Sequence, residues 1–178
     1  MPITVILHNI RSALNVGSIL RTADGFGVES AIFSGYTPRI DDARVLPHLR
    51  DKLNHQIHKT ALGAETYLPL TVSDDLPQTL TSLRADHYQI LGLENNLSDP
   101  RKLTLDFANL SQIRSALKIS PASPQPHLAL LLGEEVAGID RSLYPELDFF
   151  LEIPMRGQKE SFNVSVATGV ALFYLSNL

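Results

Sequence analysis

The sequence predicts a single α/β domain built on a mainly parallel sheet. Short apolar runs alternate with segments of helical apolar spacing along most of the 178 residues. Residues 128–132 are apolar throughout, which is typical of a strand buried on both faces of a parallel sheet. A hydrophobic content of 44% is enough for one domain with a sizeable core. We expect ligands of such a sheet in the loops at the carboxyl ends of its strands.

The first half of the chain gives strand and helix signals in turn. Asn15 stands where a helix can start, and Gly27 stands where that helix should end, because glycine readily adopts the left-handed conformation after a last turn. The predicted elements are a strand at 3–8, a helix from 15 to 26, a strand at 31–34, a turn at 35–38, a polar helix within 41–60, a weak strand at 67–70 and a helix from 74 to about 85.

The second half is less regular. The predicted elements are a strand at 89–93, a helix at 107–118, an exposed proline-rich linker at 119–127, a strand at 128–132, a strand at 149–154 and a helix at 161–175. Taken together, residues 95–127 are predicted to be an insertion or linker before the most apolar strand. The last helix has several small residues, which suit close packing within one subunit or between two.

Composition excludes several classes of protein. The chain has no cysteine, so it contains no disulfide, thiolate metal site or cysteine nucleophile, and we predict no metal site. The first eleven residues lack the pattern of a signal peptide and no apolar run is long enough to span a membrane, so we expect a cytoplasmic protein. The net charge of −4 argues against a generally basic nucleic-acid binder, but the charge is segregated. Residues 1–60 have a net formal charge of +2, and residues 61–178 have a net formal charge of −6.

Three polar segments follow predicted strands, at residues 8–22, 133–138 and 153–167. Each has an ordinary structural explanation: Asn15 or Ser161 can cap a helix, and Arg21 can be a solvated surface charge. Each also suits a ligand, because glycine loops and helix starts expose backbone groups. No dinucleotide-binding fingerprint and no phosphate-binding P-loop motif occur, which disfavours a generic nucleotide-binding oxidoreductase.

In this order and spacing, the three segments resemble motifs of the SpoU (TrmH-like) branch of the SPOUT RNA methyltransferases. The pattern N-x-G-x-x-x-R-T is matched by Asn15, Gly17, Arg21 and Thr22, and G-x-E-x-x-G by Gly133, Glu135 and Gly138. The third and most specific motif, I-P-M-x-G-x-x-x-S-[LF]-N-V-S-x-A, is matched by residues 153–167. Residues 34–38 and 62–65 also resemble this branch.

The resemblance implies an α/β domain with a C-terminal trefoil knot, and a homodimer that binds S-adenosylmethionine and methylates a ribose 2′-hydroxyl of tRNA or rRNA. With no cysteine to relay it, the methyl group would pass directly to the ribose oxygen. The catalytic residues implied are Arg21, Asn15, Glu135, Ser161 and Asn163. The cofactor-binding residues implied are Leu93, Leu132, Gly133, Glu135, Gly138, Ile153, Met155, Gly157, Ser161, Phe162 and Asn163.

Many relatives have a further RNA-binding domain, which we do not expect here, so the catalytic domain, the dimer or a partner must select the substrate. The predicted RNA-binding residues are Arg11, Arg39, Arg44, Arg50, Lys52 and Lys59. Two other interpretations stay open: a catalytically silent knot protein that holds RNA or cofactor, and a base-methylating SPOUT enzyme.

Overall fold

The protein forms an α/β domain whose strands are all parallel. The computed structural model describes residues 1–120, 122 and 124–178. The strands within them are β1 (Ile3–His8), β2 (Ser30–Ser34), β3 (Leu70–Ser73), β4 (Tyr88–Leu93), β5 (Lys102–Thr104), β6 (His127–Leu132) and β7 (Phe149–Glu152). The α-helices within them are α1 (Ala13–Gly25), α2 (Pro47–Ala61), α3 (Ala64–Tyr67), α4 (Leu76–Ala85), α5 (Leu110–Ala116) and α6 (Val164–Ser176).

The sheet order among the described residues is β3-β2-β1-β6-β4-β7-β5. β6 pairs with β1 on one side and with β4 on the other. Residues 128–132 are therefore fully buried, as their unbroken apolar run predicted. The predicted parallel sheet is confirmed. The trefoil knot stays a prediction.

Each face of the sheet has its own apolar core. One core includes Val16, Leu20, Ile57 and Leu172, from helices α1, α2 and α6. The opposite core includes Leu80 of α4 and Leu143 of a 3₁₀ helix at Arg141–Glu146. Helices on both faces explain why the central strands are apolar at every position rather than at alternate ones.

Several predicted boundaries were wrong. The weak strand at 67–70 is instead the end of α3 followed by β3 at Leu70–Ser73. The predicted helix at 107–118 divides into a 3₁₀ turn, Phe107–Asn109, and α5. The short edge strand β5 was missed, because three residues carry too little periodicity to show.

Residues 95–127 contribute to the sheet and the core. β5 pairs with β7, and Leu103, Leu105, Ile113 and Leu117 are buried. Within the predicted linker at 119–127, Pro121 and Ser123 lie outside the described residues.

Across the described part of the chain, no helix has the length and apolar character that crossing a membrane requires.

Candidate functional site

A cavity of about 180 Å³ opens at the carboxyl ends of β4, β6 and β7. This is the edge at which parallel sheets usually bind ligands. The start of α6 closes one side. The lining residues are Leu93, Glu94, Asn95, Leu132, Gly133, Glu134, Glu135, Val136, Gly138, Ile153, Ser161, Phe162, Asn163, Val164 and Ala167.

Two backbone hydrogen bonds join the ends of the loop at residues 133–138, and the loop needs both of its glycines. Glu134 N donates to Gly138 O at 3.0 Å, and Gly138 N donates to Glu134 O at 2.9 Å. A Cβ on Gly133 would overlap the Gly138 carbonyl group, and Gly138 has a φ of +72° that favours glycine. The loop is therefore a compact backbone turn on the cavity wall.

Glu135 joins this loop to the start of α1. Its Oε2 accepts from Arg11 N at 2.9 Å, and its Oε1 accepts from Ser12 N at 3.1 Å and Asn15 Nδ2 at 3.0 Å. Partial burial alone would raise the pKa of Glu135, but these hydrogen bonds outweigh it and lower the pKa below its ordinary value. Glu135 is therefore held in its charged form.

Asn163 extends the network to α6. Its Nδ2 donates to Asn15 Oδ1 at 3.1 Å, and its Oδ1 accepts from Ser165 N at 2.9 Å. One residue from each of the three motifs, Asn15, Glu135 and Asn163, thus lies in a continuous hydrogen-bonded chain. Asn15 lies 120 residues from Glu135 and 148 from Asn163 in sequence, so only the fold makes these contacts.

Two helix starts differ from the prediction. Ser12, not Asn15, caps α1, because the Ser12 side chain accepts from Asn15 N at 3.3 Å. Asn163, not Ser161, caps α6, which begins at Val164. Capping therefore does not explain Asn15. Its amide is free to bridge Glu135 and Asn163.

Arg21 lies outside this network. It is exposed on α1, six residues beyond Asn15 and therefore about 9 Å further along the helix axis. It does not line the cavity, and within the described residues its side chain makes no hydrogen bond or ion pair. Arg21 is available to a ligand approaching from solvent.

Most of the predicted cofactor residues meet at the cavity. Leu93, Leu132, Gly133, Glu135, Gly138, Ile153, Ser161, Phe162 and Asn163 all line it. Met155 and Gly157 do not, and Gly157 is exposed. Sequence reasoning missed Glu94 and Asn95. The two polar residues follow β4 directly, so their place at the end of a strand was the available signal.

Asn95 fixes the chain where it leaves β7. Its Oδ1 accepts from Ile153 N, and its Nδ2 donates to Ile153 O, both at 3.1 Å. The same Nδ2 lies 3.4 Å from the carbonyl oxygen of Glu160. One side chain thus holds both ends of the loop that follows β7.

The predicted RNA-binding residues fall into two groups. Asp42 pairs with Arg44 at 2.7 Å and with Arg39 at 3.4 Å, and the bond from Arg44 lowers the pKa of Asp42 to about 2. Arg11 lies 3.6 Å from Glu134. In the part of the chain that the structure describes, Arg50, Lys52 and Lys59 of α2 form no ion pair.

Solved structures share this architecture. The AdoMet-bound rRNA methyltransferase from Sinorhizobium meliloti matches 99% of this chain and 56% of its own, with a TM-score of 0.73 and 23% identity. The A. aeolicus TrmH/SpoU tRNA modifying enzyme has a TM-score of 0.69 and 20% identity, with 98% of this chain and 74% of its own covered. These likenesses establish the fold.

Sequence comparisons identify the family. A TrmH-family protein of Staphylococcus aureus (strain COL), whose name assigns it to tRNA/rRNA methylation, is 29% identical over 171 residues. That match covers 95% of this chain and 56% of the relative, so the chain spans about half the length of the curated relatives it matches. The model of the SpoU rRNA Methylase family matches residues 2–173. With one residue of each motif joined by hydrogen bonds beside one cavity and a match of that extent, the chain belongs to the SpoU rRNA methylase family.

Proposed function

We propose that this protein is an S-adenosylmethionine-dependent RNA methyltransferase that acts on a ribose 2′-hydroxyl of tRNA or rRNA. The observation that carries the proposal is the hydrogen-bonded chain Glu135–Asn15–Asn163 beside the cavity. It joins the motif associated with ribose chemistry to the two motifs associated with the cofactor. AdoMet-bound structures of the Sinorhizobium protein and of AviRb from Streptomyces viridochromogenes support the cofactor.

The cavity fits such a cofactor in chemical character. Leu93, Leu132, Ile153 and Phe162 offer apolar surface for a purine ring, and the turn at 133–138 offers backbone groups for polar atoms. When bound, S-adenosylmethionine supplies a methyl group on a positively charged sulfonium. The protein must then position the cofactor and the ribose.

Arg21 is the residue that we propose positions the ribose. A guanidinium stays protonated in proteins, so Arg21 cannot serve as a general base. It can bind the adjacent phosphate and so fix the hydroxyl in line with the methyl carbon, while phosphate or water takes the proton. Its exposure and its lack of a partner among the described side chains support a contact with RNA.

Glu135, Asn15 and Asn163 are proposed as positioning residues. They hold the start of α1, the 133–138 turn and the start of α6 in one arrangement. Ser161 also lines the cavity and is proposed as a polar contact for the cofactor.

A basic stripe on α2 is the proposed RNA surface. We define the basic stripe as His48, Lys52, His55 and Lys59, which are all exposed. Their spacings of four, three and four residues place them on one side of the helix. The stripe is about 16 Å long at the helical rise per residue, which suits contacts with successive phosphates. Arg50 lies on the same helix and is half-buried.

A homodimer is proposed through α6. This helix has no charged residue, yet Val166 is 51% exposed and Phe173 44% exposed. Phe107, 63% exposed, packs edge-on against Phe173 with ring centroids 6.4 Å apart. Apolar surface of this kind on a helix typically marks an interface.

The decisive experiment is methyl transfer from labelled S-adenosylmethionine to RNA from a strain that lacks this gene, followed by nucleoside mapping. We expect label in one 2′-O-methylnucleoside. Label in a methylated base would instead support a base-methylating enzyme. Cofactor binding without any transfer to bulk tRNA or rRNA would support a catalytically silent protein.

A further inference from the structure

Glu94 places a carboxylate on the cavity wall at the end of β4. Its own N–H donates to Leu151 O at 3.0 Å, which continues the pairing of β4 with β7 and fixes the residue at the sheet edge. The side chain is half-buried and belongs to no motif that sequence reasoning singled out.

Two backbone amides orient this carboxylate. Glu94 Oε2 accepts from Ile139 N at 2.8 Å, and Oε1 accepts from Asn95 N at 3.1 Å. A Cβ on Gly138 would overlap Glu94 Oε2, so the glycine makes room for the carboxylate. The side chain is thus held in one place between the 133–138 turn and β4.

The negative charge exceeds what this structural role needs. A neutral carbonyl oxygen can accept a backbone N–H, whereas an ionised carboxylate costs free energy when it is partly removed from water. No Lys, Arg or His in the described residues forms an ion pair with Glu94. Glu94 therefore places on the cavity wall an oriented negative charge that no basic side chain of the described residues neutralises.

We propose that Glu94 is a specificity-determining residue that favours the cationic sulfonium cofactor over its neutral thioether product. This inference rests on the proposed function, because it assumes that the cavity binds S-adenosylmethionine. Transfer of the methyl group removes the positive charge of the sulfonium. An oriented carboxylate then stabilises the cofactor more than the product, and this difference favours exchange of product for fresh cofactor.

The test is calorimetric titration of the full chain with S-adenosylmethionine and with S-adenosylhomocysteine, for the wild type and for Glu94→Gln. Glutamine keeps one carbonyl acceptor and removes the charge. We expect the ratio of the product Kd to the cofactor Kd to fall by roughly three- to tenfold, as expected for one charge acting across a partly solvated cavity. Glu146→Gln, which removes a carboxylate paired with Arg84 away from the cavity, should leave the ratio unchanged.

Two outcomes separate this inference from the proposed function. If Glu94→Gln weakens both ligands equally, or neither, Glu94 is structural and the inference is overturned. If the wild-type protein binds neither ligand, the cofactor assignment itself is overturned. Should Glu94→Gln not fold, Glu94→Ser, whose short side chain leaves room for water at the Ile139 amide, replaces it in the same titration. The same fall in the ratio is expected, and an unchanged ratio would overturn the inference.

Discussion

Glu135 is the residue on which the site geometry depends most directly. Its two oxygens satisfy the backbone amides of Arg11 and Ser12 and the side-chain amide of Asn15. These donors lie at the start of α1, where no helical carbonyl is available to them. Glu135 therefore supplements the Ser12 cap of α1 from a distant segment of the chain.

Replacing Glu135 should destabilise the protein. For Glu135→Ala we expect the free energy of unfolding to fall by about 1 to 2 kcal/mol, because partly buried donors lose their acceptor. Urea denaturation at pH 7 measures this. Glu134→Ala is the matched control and should change stability by less than about 0.5 kcal/mol, since its ion pair with Arg11 is long, at 3.6 Å, and the Arg11 side chain is 65% exposed. Equal effects of the two substitutions would contradict the capping role.

The same bonds set a pH dependence. Because folding lowers the pKa of Glu135, its contribution to stability is complete well above its ordinary pKa of 4.5 and is lost as pH falls through the folded value. The destabilisation caused by Glu135→Ala should therefore shrink when urea denaturation is repeated at pH 3 to 4.

Arg21 is not part of the hydrogen-bonded chain that includes Glu135. Arg21→Ala should lower methyl transfer by roughly 100-fold or more, a size typical of losing one group that stabilises a transition state. Cofactor Kd and melting temperature should stay at wild-type values, because the side chain touches neither the cavity nor another described side chain. Arg141→Ala, which replaces another exposed arginine, should keep the wild-type rate of methyl transfer. A wild-type rate of methyl transfer in the Arg21→Ala variant would show that Arg21 has no part in the reaction.

Among the elements, α1 and α2 show why the first motif needs a glycine. A Cβ on Gly17 would overlap Thr60 Oγ1 and the carbonyl oxygen of Ile57. Thr60 also donates its hydroxyl to Leu14 O at 2.9 Å, so the two helices are in close contact at this point. The glycine therefore serves helix packing rather than the ligand.

Two alanine substitutions in α1 should have opposite signs. An alanine inside a helix is usually more stable than a glycine by up to about 1 kcal/mol. Gly17→Ala should nevertheless lower the melting temperature, because the overlap involves the backbone of α2. Gly25→Ala in the same helix has open space around the new Cβ and should raise the melting temperature or leave it unchanged. Stabilisation by Gly17→Ala would mean that the helices can move apart at no cost.

The basic stripe of α2 is expected to contact RNA phosphates. The double variant Lys52→Ala with Lys59→Ala should weaken RNA binding. The slope of log affinity against log salt concentration should fall by about the amount that two phosphate contacts contribute. Fluorescence anisotropy with labelled RNA at several salt concentrations measures both quantities. Asp51→Asn, on the same helix, removes a negative charge and should leave the affinity equal or higher. An unchanged salt slope in the lysine variant would place the RNA elsewhere.

At the scale of the whole molecule, the uncharged helix α6 is the surface that a second copy should cover. Phe173→Glu should shift the protein from dimer to monomer in sedimentation velocity, because a buried unpaired carboxylate costs several kcal/mol. Tyr67→Glu is the control, since Tyr67 is 76% exposed and lies on α3 rather than α6. A wild-type monomer, or a dimer that persists in Phe173→Glu, would contradict this interface.

Local patterns in the sequence determined the class of fold and the place of the site. The run at 128–132 predicted a central parallel strand, and the family resemblance implied nine of the residues that line the cavity. Such features are readable because strand periodicity, glycine turns and helix starts depend on neighbouring residues.

Contacts between distant segments were decided only by the tertiary structure. The bond between Asn15 and Glu135 joins residues 120 positions apart, and it shows that Asn15 bridges segments instead of capping α1. The place of Glu94 on the cavity wall depends likewise on β4 lying between β6 and β7. Neither the Asn15–Glu135 bond nor the position of Glu94 can be predicted from local sequence, because strand order and helix packing depend on how the whole chain buries its apolar surface.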